Sequence, residues 1–233
     1  MRLEFEGLPT MGVTERIELP SVAEILRSPM FTRVSADDFY KYGGEFNRYL
    51  LDKCPISNEF KHVCVTANLK IVTPETMPMR TSDWHCDGSV GSPYFSFDEK
   101  FHIFIGYTDA TTEFLLEPAH LEVDEHFIKS LDHYQFRQYI ESEIHNFENL
   151  KPIKMEEQVF VTFNSRHLHR APRPTPRPYF RLMVIVRESN HLQEIAPERA
   201  RDRSSEVWSV AADKGVLSIE QGERGIMLRP LRI

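Results

Sequence analysis

No run of the roughly 20 apolar residues needed to cross a bilayer occurs in this chain of 233 residues, so no membrane partner is expected. An excess of positive charge is missing too. The 28 Lys and Arg stand against 35 Asp and Glu, a formal charge of -7, which gives no electrostatic footprint for a phosphate backbone. Nucleic acid is therefore not an expected partner. Cysteine is scarce: Cys54, Cys64 and Cys86 are odd in number and show no CxxC spacing. That argues against a disulfide framework or a structural zinc site, and for reduced thiols in the cytoplasm. The stretch Met1 to Gly7 holds Glu4 and Glu6 and no apolar run, so it does not read as a signal peptide. Internal repeats are absent, and the one biased stretch is a Pro/Arg-rich link, Ala171 to Pro178.

What is present fits one domain over 1–233. A hydrophobic content of 41% and a charged content of 27% are ordinary for a globular chain, and a single all-β barrel or sandwich can fill this length. Residues 1–60 read as an extended arm followed by helices. Ser21 caps a short helix through Leu26, and Phe39, Tyr42, Phe46, Tyr49 and Leu50 recur at helical spacing over 36–52, across Gly43 and Gly44. From Lys61 to Val72 the period changes to two. Val63, Val65, Ala67, Leu69 and Ile71 share one face, and Cys64, Thr66, Asn68 and Lys70 the other. Further strands are expected at 101–107, 159–163 and 179–187, a strand or a turn at 111–116, and a helical insertion over about 124–147. The Pro-rich link excludes helix and central strand. A C-terminal extension, 188–233, holds a short helix at 198–203. The pattern predicts a mainly β fold: a double-stranded β-helix, or jelly-roll and cupin-like, core over 61–187, with N-terminal helices and a helical insertion.

Two stretches carry chemistry. In Trp84-His85-Cys86-Asp87-Gly88, a His-x-Asp pair on extended chain aims both side chains to one side, because strand side chains alternate. One later histidine would complete two imidazoles and a carboxylate on one side of a metal, the facial triad of non-haem iron(II) oxygenases. The second stretch, Phe163-Asn164-Ser165-Arg166-His167-Leu168-His169-Arg170, supplies two candidates, His167 and His169, and spacing alone dismisses neither. Trp84 and Cys86 read as packing, and the Gly88 to Gly91 segment as a lid beside the site.

The run Phe163 to Pro172 resembles the distal-histidine segment of the iron(II)/2-oxoglutarate-dependent oxygenases, where an apolar strand leads into a histidine followed by Arg and a small residue. The resemblance covers about 62–187. It implies that His169 is the third metal ligand beside His85 and Asp87. It also implies that an Arg in the next strand, Arg181, grips the far carboxylate of 2-oxoglutarate, with Arg173, Arg177 and Arg187 as competitors. A guanidinium suits that task through its bidentate donors and permanent charge. Asn68, with Thr66 and Lys70, is a further co-substrate candidate from side-chain alternation.

The function so implied is a dioxygenase that uses Fe(II), 2-oxoglutarate and dioxygen to oxidise a C–H bond of a small molecule, such as an amino acid or another carboxylate metabolite. Arg80, Arg170 and Arg173 are candidates to pair with such an acid, although an exposed surface role suits each of them better. Two alternatives remain: an iron oxidase of the same scaffold that needs no 2-oxoglutarate, and a non-catalytic cupin-like binding module.

Overall fold

The spine is a pair of eleven-residue strands, β3 (His62–Val72) and β10 (Tyr179–Ser189), antiparallel from Tyr179↔Val72 to Ser189↔His62. The computed structural model describes residues 1–11, 15–31, 33–72, 84–87, 99–147, 150–172, 179–190, 217–222 and 225–230. Around the spine, β2 (Val34–Ser35), β4 (Lys100–Gly106) and β8 (Phe160–Asn164) complete a five-stranded antiparallel sheet in the order β2-β3-β10-β4-β8. A second antiparallel sheet has the order β7-β5-β9, from β5 (Glu113–Leu115), β7 (Pro152–Lys154) and β9 (His169–Arg170). Two small pairs stand apart: β1 (Arg2–Phe5) with β6 (Ala119–Glu122), and β11 (Leu217–Gly222) with β12 (Gly225–Pro230). The fold is mainly β, in several antiparallel sheets.

Period-two alternation decides what each sheet face buries. On one face of the large sheet, Val65, Ala67, Leu69, Phe104, Phe160, Leu182, Val184 and Val186 pack against α1 (Val22–Ile25), α2 (Ala36–Tyr42) and α3 (Gly44–Lys53), through Ile25, Phe39 and Leu50. The opposite face carries Phe101, Ile103, Ile105, Val161, Phe163 and Met183, which meet Phe114 of β5 and Met155. The reverse side of the second sheet is covered in turn. Leu115, Leu168, Trp84 and Cys86 pack with Phe5 and with the insertion helices α4 (Glu125–Ser130) and α5 (His133–Glu143), through Ile128, Phe136 and Ile140. Four layers result: helices, large sheet, small sheet, insertion helices.

The helix starts follow from their caps. Ser21 accepts from the Glu24 N–H while the Glu24 carboxylate accepts from the Ser21 N–H, and Asp132 and Gln135 make the same reciprocal box on α5. The single helix expected over 36–52 is corrected to two, α2 and α3. Gly44 has φ +79°, outside helical space, and a Cβ on Gly43 would lie 2.4 Å from the Phe39 carbonyl oxygen. The glycine pair is thus a break built around close packing. The expected strands match β3, β4, β8 and β10, and the insertion, within a few residues, and the strand or turn at 111–116 is the strand β5. The short β1, β6, β7 and β9 carry too few residues to show a period. The Gly88 to Gly91 segment, Arg80, Arg173, Arg177 and the helix at 198–203 lie outside the described residues.

On the helix-covered face sits a buried polar chain. His102, 1% exposed, lies 2.8 Å from Thr162 Oγ1 through Nδ1 and 2.7 Å from Glu188 Oε1 through Nε2. Glu188 also accepts from the Ser57 N–H at 3.0 Å and hydroxyl at 2.9 Å, which ties the turn after α3 to the sheet. Burial lowers the His102 pKa from its ordinary 6.5, against an opposing pull from Glu188. As pH falls below about 6.5 the unfolded chain takes up this proton before the folded one, so stability declines until His102 titrates in the native state. Equilibrium urea unfolding across pH 7 to 5 is expected to show that decline, and His102→Gln, which keeps hydrogen-bonding capacity, is expected to flatten it. His102→Ala, which strips Glu188 of a buried partner, is expected to cost about 2–3 kcal/mol at pH 7.

Candidate metal centre

The local fold brings the two chemical stretches together through one backbone contact. His85 and His169 face each other as an antiparallel bridge, with His85 N–H to His169 C=O at 2.9 Å and His169 N–H to His85 C=O at 2.8 Å. Residues directly opposite in such a pair project to the same side. The two imidazoles accordingly stand 4.4 Å apart by ring centroid. Asp87, two residues past His85, returns to that side and places Oδ2 3.6 Å from His169 Nε2. One donor atom from each of His85, Asp87 and His169 lies within 4.8 Å of the others. His85 and His169 are buried and Asp87 half-buried.

This set fits a divalent transition metal. Donors about 2.0–2.2 Å from a common ion sit roughly 3 Å apart at right angles, so small side-chain rotations close the observed spacing. The orientation of His169 supports the fit. Its Nδ1 lies 3.0 Å from the His167 carbonyl oxygen, a bond that selects the Nδ1–H tautomer and leaves the Nε2 lone pair directed at Asp87. The walls are apolar: the rings of Phe163 and Phe114 lie 5.1 Å and 5.6 Å from the His169 ring. Two imidazoles and one carboxylate suit iron, cobalt, nickel, copper or zinc, and the geometry alone does not choose between them.

His167 is held elsewhere. Its Nδ1 lies 2.9 Å from Asn164 Oδ1, its Nε2 is 3.7 Å from Glu6, and burial lowers its pKa. The choice left open by spacing is thereby resolved in favour of His169 as the partner of His85 and Asp87. Cys86 turns to the reverse side, into the cluster behind the sheet, where burial foremost pushes its thiol up to about 12. It is packing, as alternation predicts.

The arginines separate cleanly. Arg187 donates to both Glu99 oxygens, at 2.5 and 2.7 Å, and Ser189 shares that carboxylate. Arg170 bonds Glu113, Nε to Oε2 at 2.7 Å, and stacks over Trp84, so it is a packed residue and not the exposed surface arginine expected. Arg181 is different. It is 2% exposed, and among the described residues its Nε has no hydrogen-bond partner. Burial brings its pKa down to about 10, with Tyr179 opposing. Arg181 shares a face of β10 with Met183, whose cluster includes the Phe114 and Phe163 that touch His169. The register sets Lys70 opposite Arg181, Asn68 opposite Met183 and Thr66 opposite Ile185, so all three candidates of β3 lie on that same face. Lys70 is exposed, and the Thr66 hydroxyl accepts from the Arg33 N–H at 3.1 Å. Asn68 remains the half-buried amide of the row. Tyr179, two residues before Arg181, also has a buried hydroxyl without a partner among the described residues. It is not among the residues that motif spacing selects, although period two from Arg181 points to it.

A separate groove of about 650 Å³ lies between β1, β6 and Arg166 and touches none of the three clustered donors. No helix among the described residues is long and apolar enough to cross a membrane. No protein-family model matches the chain, and no curated protein is significantly similar to it.

Single substitutions test the cluster. His85→Ala, Asp87→Ala and His169→Ala are each expected to weaken Co(II) binding, followed by anaerobic calorimetry, by more than about a hundredfold, beyond the usual cost of losing a partner that only orients a ligand. His167→Ala, which keeps the carbonyl that His169 uses, is expected to stay within about tenfold of the parent.

Proposed function

We propose that the protein is an iron(II)- and 2-oxoglutarate-dependent dioxygenase with a jelly-roll core, acting on a C–H bond of a small molecule. The observation that carries this reading is Arg181: a buried guanidinium, free of any carboxylate among the described residues, on the face that carries the wall of the His85–Asp87–His169 cluster. A cation withdrawn from water in this way calls for an anion. A dicarboxylate anchored at one end by Arg181 and at the other by a metal would meet the demands of both groups.

Strand order supports the core. Leaving aside β1, β2, β6, β11 and β12, the segment 84–86 and β3, β4, β5, β7, β8, β9 and β10 make eight units in sequence. The large sheet then runs first, eighth, third, sixth, and the small one fifth, fourth, seventh, second, the last through the His85 bridge. Two facing sheets of alternating, sequence-distant strands are the arrangement of a double Greek key.

When bound, iron with 2-oxoglutarate and dioxygen supplies the oxidising chemistry, in which the keto acid is decarboxylated to succinate. The chain's part is placement. His85, Asp87 and His169 would hold the ion, and as three protein donors they would leave positions for co-substrate and oxygen. Arg181, with the Tyr179 hydroxyl and the Asn68 amide on or beside its row, orients the keto acid by its far carboxylate. Phe114 and Phe163 keep water from the imidazoles. A small-molecule substrate would enter from the side that Asp87, the most exposed of the three donors, faces.

Anaerobic addition of Fe(II) and then 2-oxoglutarate is expected to produce a weak visible charge-transfer band, and turnover in air to yield succinate. Arg181→Met is expected to weaken 2-oxoglutarate binding about ten- to hundredfold, the worth of one charge-assisted carboxylate contact, while Fe(II) binding persists. Iron binding with no band and no succinate would overturn the co-substrate and leave only the metal site.

A further inference from the structure

The second sheet has a reverse face, and the row behind the clustered ligands is itself organised. Because His85 pairs with His169, Trp84 falls opposite Arg170, and the β5–β9 register sets Arg170 opposite Glu113. Trp84, Arg170 and Glu113 therefore form one cross-strand row on the reverse face, beside the row His85, His169, Phe114 on the inner face. The row is closely joined. The Arg170 guanidinium carbon lies 4.6 Å from the Trp84 ring centroid, and its Nη2 and Nε lie 2.6 and 2.7 Å from Glu113 Oε2. The Arg170 and Glu113 side chains are 16% and 13% exposed, and Trp84 is buried at 6%. Charge pairs and cation–π contacts shielded to this degree are stronger than those on an open surface.

The need for such a brace is visible in the strands it joins. Among the described residues, the 84–87 segment contributes a single bridge to the sheet, and β9 is two residues long. Backbone bonds this few hold the angle between two ligand-bearing segments weakly. We propose that Trp84, Arg170 and Glu113 are positioning residues for the metal centre: they lock the 84–87 segment to β9 and β5 from behind, and so set the separation of the His85 and His169 imidazoles. This inference rests on the metal-site reading and adds a role to residues outside the ligand set.

Charge separates this role from a plain electrostatic one. A cation behind the sheet repels a bound dication, so if Arg170 acted only through its field, removing it would tighten metal binding. Positioning predicts the opposite sign. The test uses the full-length protein and Co(II), added anaerobically, with the dissociation constant and the visible d–d spectrum as readouts and the melting temperature of the metal-free protein as control. Arg170→Met is expected to weaken Co(II) binding roughly tenfold or more and to alter the d–d band shape, which reports coordination geometry. Glu113→Gln, which keeps the shape of the row, and Trp84→Phe, which keeps an aromatic face, serve should Arg170→Met fail to fold. Each is expected to give a smaller change in the same direction, with metal-free melting near the parent's. Parental affinity and an unchanged spectrum in all folded variants, or tighter binding in Arg170→Met, would overturn the proposal. His85→Ala is the separate control: if it too leaves Co(II) binding unchanged, the metal-site reading itself has failed.

Discussion

Two hydrogen bonds between His85 and His169 are the contact on which the rest of the site depends. They join positions 84 residues apart and turn two weak sequence signals into one geometry. The antiparallel pairing makes the outcome nearly obligatory. Once these residues are opposite, both imidazoles go to the same side, Asp87 follows them by period two, and Cys86 and Trp84 go to the other. A slip of one residue of the 84–87 segment in that bridge would exchange its two sets, placing a thiol and an indole inside beside His169 and the His85 imidazole against the insertion helices. Register is therefore the chief constraint, and much of the surrounding structure acts on it.

The layers can be understood from that constraint. On the inner side, Phe114 and Phe163 touch His169 and extend the apolar face of the large sheet up to the ring. On the outer side, Leu168, Leu115 and Cys86 seat the same strands on Phe136, Ile140 and Ile128 of the insertion. The insertion helices, which on sequence look like decoration between strands, are the apolar support of the small sheet. Without them its outer face would meet water, and strands of two and three residues do not hold a register unaided.

Legibility followed strand length. The eleven-residue β3 and β10 showed their faces plainly, and Val65, Ala67 and Leu69 bury where alternation places them. β4 was visible as an apolar run because both of its faces are covered. The strands that build the site were not, since β9 and β7 are too short for periodicity to register and the His85 segment contributes one bridge among the described residues. His85 and Asp87 were legible from local spacing. His169 required its neighbours: His167 is excluded only by Asn164 and Glu6, residues whose proximity is a tertiary fact. The carboxylate partners of Arg170 and Arg187, and the lack of one at Arg181 among the described residues, were equally closed to spacing. What distinguishes them is the presence of Glu113, of Glu99, and of no such carboxylate among the described residues. The misread helix at 36–52 had its cause in view, a Gly-Gly pair, but apolar spacing continued across it in register, so only the backbone angle of Gly44 revealed two helices.

The contrast among those arginines bears on the folded state as much as on function. Arg170 and Arg187 have neutralised charges, whereas Arg181 is more deeply buried and has none among the described residues, with the Tyr179 hydroxyl equally unserved. Desolvating a cation with no anion costs several kcal/mol, so Arg181 calls for a counter-charge beyond the described residues. Its inward neighbours on β10 are mixed, Tyr179, Met183, Ile185, Arg187 and Ser189, so what sets Arg181 apart is deep burial without a carboxylate among the described residues, the feature on which the 2-oxoglutarate proposal rests.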